Sequence, residues 1–197
     1  MNKKNIYLSD EKQPAGEQSN FYENKFTGNF EIRRILSESD SKELEMYHVI
    51  FKDGAMTKIH THESEQILIA TNSSLDAQSN MSGRGFVVLI EKYGNTTRGD
   101  NNTDPQFSIS KTTFLDKIGD TVCIPPNVLH CHGSAQQGLD FSHIAIRRST
   151  SDNNQQAKTL WEYDIEAMKK VMSVRDGNKV STILKELHTE IRKAISK

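Results

Sequence analysis

The sequence predicts an all-β sandwich or barrel followed by a pair of helices. Three segments rich in β-branched and aromatic residues, 43–52, 85–90 and 139–146, have the composition of strands. Glycine, asparagine, aspartate and proline separate the apolar stretches, and no helical period lies between them. Short strands broken by such turn residues are typical of sandwiches and barrels.

A helical period replaces the strand pattern after Arg148. Apolar residues recur at helical spacing in two runs, and the triplet Asp-Gly-Asn at 176–178 ends one run and starts the next. The runs comprise Ala157, Leu160, Trp161, Met168, Val171 and Met172, then Val180, Ile183, Leu184, Leu187, Ile191 and Ile195. They predict a helical hairpin, whose apolar stripe packs either on its own subunit or against a second copy in a homodimer.

Composition limits the possible partners. The 197 residues include 25 basic and 26 acidic ones, a formal net charge of −1 at pH 7. Neither a basic block nor a membrane-length apolar run occurs, so the sequence favours no nucleic-acid and no membrane partner. The first twenty residues lack the apolar core of a signal peptide, and Cys123 and Cys131 are expected to be free, buried thiols. We expect a cytoplasmic protein.

The run 54–71, G-A-M-T-K-I-H-T-H-E-S-E-Q-I-L-I-A-T, carries the first chemical signal. On a strand, His60 and His62 share a face. A lone histidine is usually a core or surface group, whereas two on one face form a fork that is able to chelate a metal ion. Gln66 begins a new apolar strand after a short polar turn, and it sits across from the two imidazoles if that turn reverses the chain.

The run 119–133, G-D-T-V-C-I-P-P-N-V-L-H-C-H-G, repeats the pattern. His130 and His132 share a face, and Cys131 between them points outward into a core. Asn127 follows two prolines and tolerates the left-handed backbone geometry of a turn. Four histidines in two matched pairs are hard to explain as scattered core residues.

The two runs resemble the two motifs of the cupin family, G-x5-H-x-H-x3,4-E-x6-G and G-x5-P-x-G-x2-H-x3-N. The matching residues are Gly54, His60, His62, Gly119, Pro125 and His130. Gln66 stands in the glutamate position, Asn127 in a glycine position and Ser134 in the final asparagine position. The resemblance implies a cupin barrel, which is a jelly-roll-like double-stranded β-helix, with the helical hairpin as a C-terminal addition.

The resemblance also divides the chain. We expect a polar N-terminal arm at 1–25, a cupin barrel at 26–148 and a C-terminal helical extension at 149–197. Two segments depart from the family pattern, an insertion at 72–82 and a long polar loop at 94–105.

A narrower similarity lies in the runs H-T-H-x3-Q-x-L-I-x-T, I-P-P-x3-H-x-H-G and S-H-I-A-I. They resemble small single-domain cupins that include manganese-dependent hydroxynitrile lyases and cupins associated with carboxymuconolactone-decarboxylase-like proteins. The resemblance implies four metal ligands, His60, His62, Gln66 and His130. It also implies that His143 faces the pocket as a catalytic acid or base.

This ligand set leaves the double charge of the metal ion uncompensated, which favours anionic or polarisable ligands. Octahedral Mn, Fe, Co or Ni would keep two open positions, whereas Zn would keep none or one. Ligand type alone does not choose among these metals.

Three further side chains have alternative roles. If the strand face that carries His143 points inward, its imidazole, with an unperturbed pKa of about 6.5, lies near the metal. Arg147 on the same face either clamps a substrate carboxylate or forms a surface salt bridge. His132 either lines the pocket or bonds to the barrel wall.

The sequence therefore predicts a metal-binding cupin. We expect a metal-dependent enzyme, a lyase, isomerase or oxygenase (an oxidoreductase), acting on a small oxygenated or carboxylated molecule. The alternatives are a non-catalytic module that holds a small ligand at the metal, and a metal-free structural barrel.

Overall fold

The computed structural model describes residues 24–36, 39–71, 83–93, 105–149 and 157–196. The predicted insertion 72–82, all but the last residue of the loop 94–105, and all but the last two residues of the N-terminal arm lie outside these ranges. The described residues form twelve strands and two helices.

The strands build two antiparallel sheets. In chain order they are β1 (Phe26–Thr27), β2 (Phe30–Leu36), β3 (Leu44–Phe51), β4 (Met56–Thr57), β5 (His60–His62), β6 (Gln66–Thr71), β7 (Gly85–Tyr93), β8 (Gln106–Leu115), β9 (Thr121–Ile124), β10 (Leu129–Ser134), β11 (Phe141–Arg148) and β12 (Thr159–Trp161). The five-stranded sheet has the order β2-β3-β11-β6-β9. The seven-stranded sheet has the order β1-β4-β10-β5-β12, with β7 beside β10 and β8 beside β7.

Apolar residues from both sheets fill the space between them. Phe51, Leu68 and Phe141 come from the five-stranded sheet, and Val87 and Leu115 come from the seven-stranded sheet. Burial of one face of each sheet against the other supplies the main stabilising term of such a barrel. The predicted all-β, cupin-type barrel is confirmed, and the three segments predicted as strands are β3, β7 and β11.

Helices α1 (Ile165–Met172) and α2 (Gly177–Ile195) cover the outer face of the seven-stranded sheet. Strand β7 is apolar on both faces, because its outward residues meet these helices while its inward ones meet the other sheet. The helical residues buried in this outer cluster are Met168, Met172, Val180, Leu184, Leu187 and Ile191. The predicted hairpin is confirmed, and its stripe packs within its own subunit. Within the described parts of the chain, neither helix is long and apolar enough to cross a membrane.

The helix prediction is wrong at Thr159–Trp161, which forms strand β12. This strand pairs with β5, opposite His60 and His62. The open edge of β5 needs hydrogen-bond partners, and a few apolar residues at helical spacing do not distinguish a helix from a strand. Helix α1 begins only after Asp164, whose side chain accepts a hydrogen bond from the backbone N–H of Ala167.

Both cysteines are free thiols, as predicted, and Cys131 is buried. The prediction of burial is wrong for Cys123, which is exposed on β9 at the edge of the five-stranded sheet. Cys131 lies in the outer cluster beneath the helices, as its outward position on the strand predicts. Burial raises the pKa of its thiol, so Cys131 behaves as a small apolar residue.

Leu187 of α2 packs against the barrel and is 2% exposed, so its truncation is expected to lower the stability of the protein strongly. Leu187→Ala is expected to lower the free energy of unfolding by about 2–5 kcal/mol, because it leaves a cavity between helix and sheet. The control is Lys185→Ala on the exposed side of the same helix, with an expected change under about 0.5 kcal/mol. Chemical denaturation followed by circular dichroism measures both, and equal effects would contradict this packing.

Candidate metal centre

Strands β5 and β10 bring three histidines together. The strands pair antiparallel with His130 directly opposite His60, and His62 lies on the same face of β5. Ring nitrogens of the three side chains lie within 4.8 Å of one another, and all three residues are buried. Converging buried imidazoles of this kind can hold a metal ion.

A turn beside β10 is hydrogen-bonded to β5, which connects the two histidine-containing segments. Asn127 has a φ of 62° in the left-handed region, as predicted, and the motif glycines Gly54 and Gly119 also have positive φ. The backbone N–H of Asn127 donates to the carbonyl oxygen of His62 at 2.7 Å. The turn before β10 is thereby bonded directly to the end of β5.

Gln66 reaches the cluster from the opposite sheet. The polar turn after His62 reverses the chain, and Gln66 begins β6 opposite Arg147 on β11. Gln66 is buried and lines the same cavity as His60 and His62. Burial lowers the pKa of His62, and the nearby side-chain amide of Gln66 offsets part of that lowering. The predicted fourth ligand therefore adjoins the histidine cluster.

Hydrogen bonds to main-chain carbonyls orient two of the rings. Nδ1 of His60 lies 2.8 Å from the carbonyl oxygen of Lys58, and Nδ1 of His130 lies 2.8 Å from that of Val128. Because a carbonyl only accepts, each Nδ1 carries the proton and each Nε2 keeps its lone pair. Such bonds fix the tautomer of metal-binding histidines.

Three ligand atoms in this cluster have no hydrogen-bond partner among the described residues. They are Nε2 of His62, Nε2 of His130 and Oε1 of Gln66, and all three are buried. Each unsatisfied buried polar atom costs about 1–3 kcal/mol, so proteins rarely keep several together. A metal ion would accept a lone pair from each of them, and the residues present therefore fit one divalent ion.

Burial keeps the three imidazoles neutral. It lowers the pKa of His60 and of His62 well below the usual value, with neighbouring histidines adding to the effect. It lowers the pKa of His130 to about 4. Metal ions bind the neutral form of histidine, so the cluster is in its binding form at neutral pH.

His132 and His143 form a separate hydrogen-bonded pair beside the cluster. Nε2 of His143 lies 3.2 Å from Nδ1 of His132. The ring of His132 is centred 5.5 Å from that of His60. Among the described residues, the ring contacts of His143 are with His132, Phe51 and Phe141. One side chain, that of His132, therefore separates His143 from the cluster of His60, His62 and His130.

The expectation of an ordinary pKa at His143 is wrong. Burial, with a smaller contribution from His48, lowers the pKa of His143 to about 3. The residue lies on β11, between β3 and β6, and is 0% exposed. A cation there would lose its hydration, so His143 is neutral at pH 7 and is not a populated imidazolium donor.

Arg147 lies on the cavity wall and is held by a buried carboxylate. Its Nε and Nη2 donate to Oε2 of Glu45 at 3.1 and 2.9 Å. Its Nη1 contacts the hydroxyl of Thr159 and lies 3.0 Å from Nδ1 of His62. Glu45 is 4% exposed, so this salt bridge faces the cavity and not the outer surface. Arg147 joins β3, β11 and β12 around His62.

A cavity of about 780 Å³ opens between the sheets beside the histidines. His60, His62, Gln66, His132, His143 and Arg147 all contribute to its wall. Trp161 stacks on His60 with ring centroids 4.3 Å apart and 18° between the planes. The sequence prediction missed Trp161 because it placed that residue in a helix. It also missed Arg34 and Glu45, which strand alternation along β2 and β3 would have placed inward.

Solved structures provide a comparison for the barrel. No protein-family model matches the sequence, and neither does any curated protein. A cupin-like protein from Thermotoga maritima is 29% identical, with 77% of this chain and 90% of that chain covered and a TM-score of 0.45. A cupin 2 conserved barrel domain protein from Rhodopseudomonas palustris is 12% identical, with 78% and 77% covered and a TM-score of 0.43. A DMSP lyase from Ruegeria pomeroyi is 17% identical, with 72% and 58% covered and a TM-score of 0.43.

The buried neutral histidines predict a loss of stability in acid for metal-free protein. The folded pKa is about 4 for His48 and His130 and about 3 for His143, against about 6.5 in the unfolded chain. As the pH falls below 6.5 the unfolded chain binds more protons, so stability present above pH 6.5 is lost. We expect about 1 kcal/mol lost per buried histidine by pH 5.5. Thermal melts after chelator treatment test this, and equal melting temperatures at pH 7 and 5.5 would contradict it.

Proposed function

We propose that the barrel holds one divalent metal ion on His60, His62, Gln66 and His130, and that the protein is a metal-dependent enzyme of the cupin superfamily. The observation that carries the proposal is the group of unpartnered, buried ligand atoms beside a cavity of about 780 Å³. That volume suits a small organic molecule. The motif resemblance supports the same four residues.

The donor set supports chemistry on an oxygenated molecule. When bound, a divalent ion supplies a Lewis-acid centre that polarises an oxygen atom of the ligand. Three neutral imidazoles and an amide leave the charge of that ion uncompensated. The chain buries the ligand atoms that would hold this ion. Electrostatic interactions between the ion and a bound molecule would be stronger there, because water is excluded. Lyase, isomerase and oxygenase reactions on small oxygenated or carboxylated molecules can use such a centre.

The His132–His143 pair suggests how the protein handles the reacting molecule. His132 lines the cavity, and its Nε2 has no hydrogen-bond partner among the described residues. His143 bonds to the other nitrogen of the same ring. We assign the contact with the substrate to His132 and a positioning role to His143, which modifies the direct acid/base role expected from the sequence.

The metal site predicts the metal content of three variants. His60→Ala and His130→Ala should each remove most bound metal, because an incomplete set of ligands binds weakly. The control His132→Asn removes a buried imidazole outside the proposed ligand set and should retain metal. Mass spectrometry of protein reloaded with Mn or Zn measures the content. Near-stoichiometric metal in both alanine variants, or an equal loss in the control, would contradict the site.

The catalytic proposal is tested by a substrate screen. Wild type loaded with Mn, Fe, Co, Ni or Zn is assayed against cyanohydrins, β-diketones and small hydroxy or keto acids. His143→Ala should keep its metal and lose roughly 10²-fold in kcat, because the His132 ring that it positions would no longer be held. His143→Gln, which can still bond to His132, should recover part of that loss.

Two outcomes would count against the catalytic proposal. Binding of these molecules without turnover would favour the alternative of a non-catalytic ligand-binding module. Full activity of His143→Ala on a substrate of the wild type would remove His143 from the mechanism.

A further inference from the structure

The cavity concentrates positive charge that the chain as a whole does not carry. Among the described residues that line it, Lys25, Arg34, Arg147 and Lys158 are basic and Glu45 is the acidic one. The full chain has a formal net charge of −1. A concave site with an excess of one charge attracts ligands of the opposite charge.

Arg147 does not supply a free anion site. Both Nε and Nη2 donate to Glu45, and Nη1 contacts Thr159. The three nitrogens of the guanidinium are thus engaged with the protein, and the charge is balanced by a buried carboxylate. The sequence suggested that Arg147 could bind a substrate carboxylate. In the structure the carboxylate of Glu45 takes that place.

Of the two arginines among the described residues that line the cavity, Arg34 is the one with an unused hydrogen-bond donor. It enters the cavity from β2, opposite Tyr47 on β3. Its Nη2 lies 4.0 Å from Oε1 of Glu45, which is too long for a hydrogen bond. Its buried Nε has no partner among the described residues. A guanidinium presents a fork that matches the two oxygens of a carboxylate.

Lys25 adds a second cation to the same cavity. It is 8% exposed, and its Nζ lies 5.7 Å from the centroid of the Trp161 ring. Burial, with a smaller contribution from Arg147, lowers the pKa of Lys25 to about 8, so most of it is protonated at pH 7. A bound anion would offset part of the cost of burying this charge.

We propose that the cavity binds a small organic carboxylate whose carboxylate group lies against Arg34, with Lys25 as the second positive charge, while another oxygen of the molecule faces the histidine cluster. The inference rests on the proposed metal function for the oxygen at the histidines. The assignment of Arg34 is supported by the charges and contacts of the cavity wall and does not need the metal. The proposed substrate class is an anionic, oxygenated carboxylate.

The test compares two neighbouring arginines on one strand. Arg34→Gln removes the proposed anion-binding group, and Arg33→Gln removes the same charge from a residue that bonds to Glu31 and does not line the cavity. The full-length, metal-loaded variants are titrated with malonate and succinate, with azide as an anion that needs only the metal. Calorimetry measures affinity, and Trp161, the single tryptophan of the chain, gives a fluorescence signal from inside the cavity.

We expect Arg34→Gln to weaken dicarboxylate binding by about 10-fold or more, as the loss of a charged hydrogen bond implies. Arg33→Gln should change it by less than about threefold, and azide affinity should be similar in all three proteins. Arg34→Lys keeps the charge but not the forked guanidinium, so its dicarboxylate affinity should lie between that of Arg34→Gln and that of wild type. Melting curves check that each variant is folded. If Arg34→Gln is not folded, Arg34→Lys takes its place in the comparison.

The failures of the two proposals are distinguishable. If the protein holds no metal and binds no azide, the metal function fails, while Arg34-dependent binding of malonate or succinate to the same protein still supports the anion site. Equal dicarboxylate affinity in wild type and the Arg34 variants would overturn the anion site. A loss of dicarboxylate affinity in Arg33→Gln as large as that in Arg34→Gln would also overturn the anion site. So would the absence of dicarboxylate binding by wild type.

Discussion

The structure depends on holding three neutral imidazoles close together in a buried space. The pairing of β5 with β10 imposes this arrangement, because it places His130 directly opposite His60. Charged imidazoles would repel one another and lose their hydration, and burial therefore keeps them neutral. The desolvation that keeps the rings unprotonated also leaves their lone pairs free to bind a cation. The metal hypothesis follows from this single physical condition.

Much of the surrounding structure supports the short strand β5. On one side β12 pairs with it along its whole length. Beneath it, a carboxylate oxygen of Glu162 accepts a hydrogen bond from the backbone N–H of Ile59 at 2.9 Å and lies 2.6 Å from Nε2 of His188 on α2. Ile59 directly precedes His60, so the helical addition is bonded to the segment that leads into β5. We infer that the C-terminal segment helps to position the site.

The residues near the site divide the cavity into two chemical regions. The seven-stranded sheet contributes His60, His62 and His132, and the five-stranded sheet contributes Gln66, His143, Arg34 and the Arg147–Glu45 pair. A ligand between the sheets would meet imidazoles on one wall, and the Gln66 amide and the Arg34 guanidinium on the other. Deeper in the barrel, Phe51, Phe141 and Leu68 make the interior apolar, so polar groups are concentrated where a ligand would bind.

Local sequence patterns predicted the parts of the site that depend on local geometry. Strand alternation placed His60 with His62, the turn after His62 brought Gln66 across, and the left-handed backbone at Asn127 was expected from its place after two prolines. Long-range packing decided the rest. The low pKa of His143 results from burial between two strands distant in sequence, and β12 exists because β5 has an edge to be paired. The Arg147–Glu45 contact joins residues on neighbouring strands 102 positions apart in the chain, which no local pattern reveals.

Four side chains are proposed to bind one metal ion together, those of His60, His62, Gln66 and His130. Anomalous diffraction at the zinc edge, from crystals of zinc-loaded protein, locates such an ion and the atoms around it. We predict one strong peak at about 2.0–2.2 Å from a ring nitrogen of each histidine and from the Gln66 side-chain oxygen. A cavity without a peak, or an ion bound elsewhere while these four side chains bond only to protein and water, would contradict it.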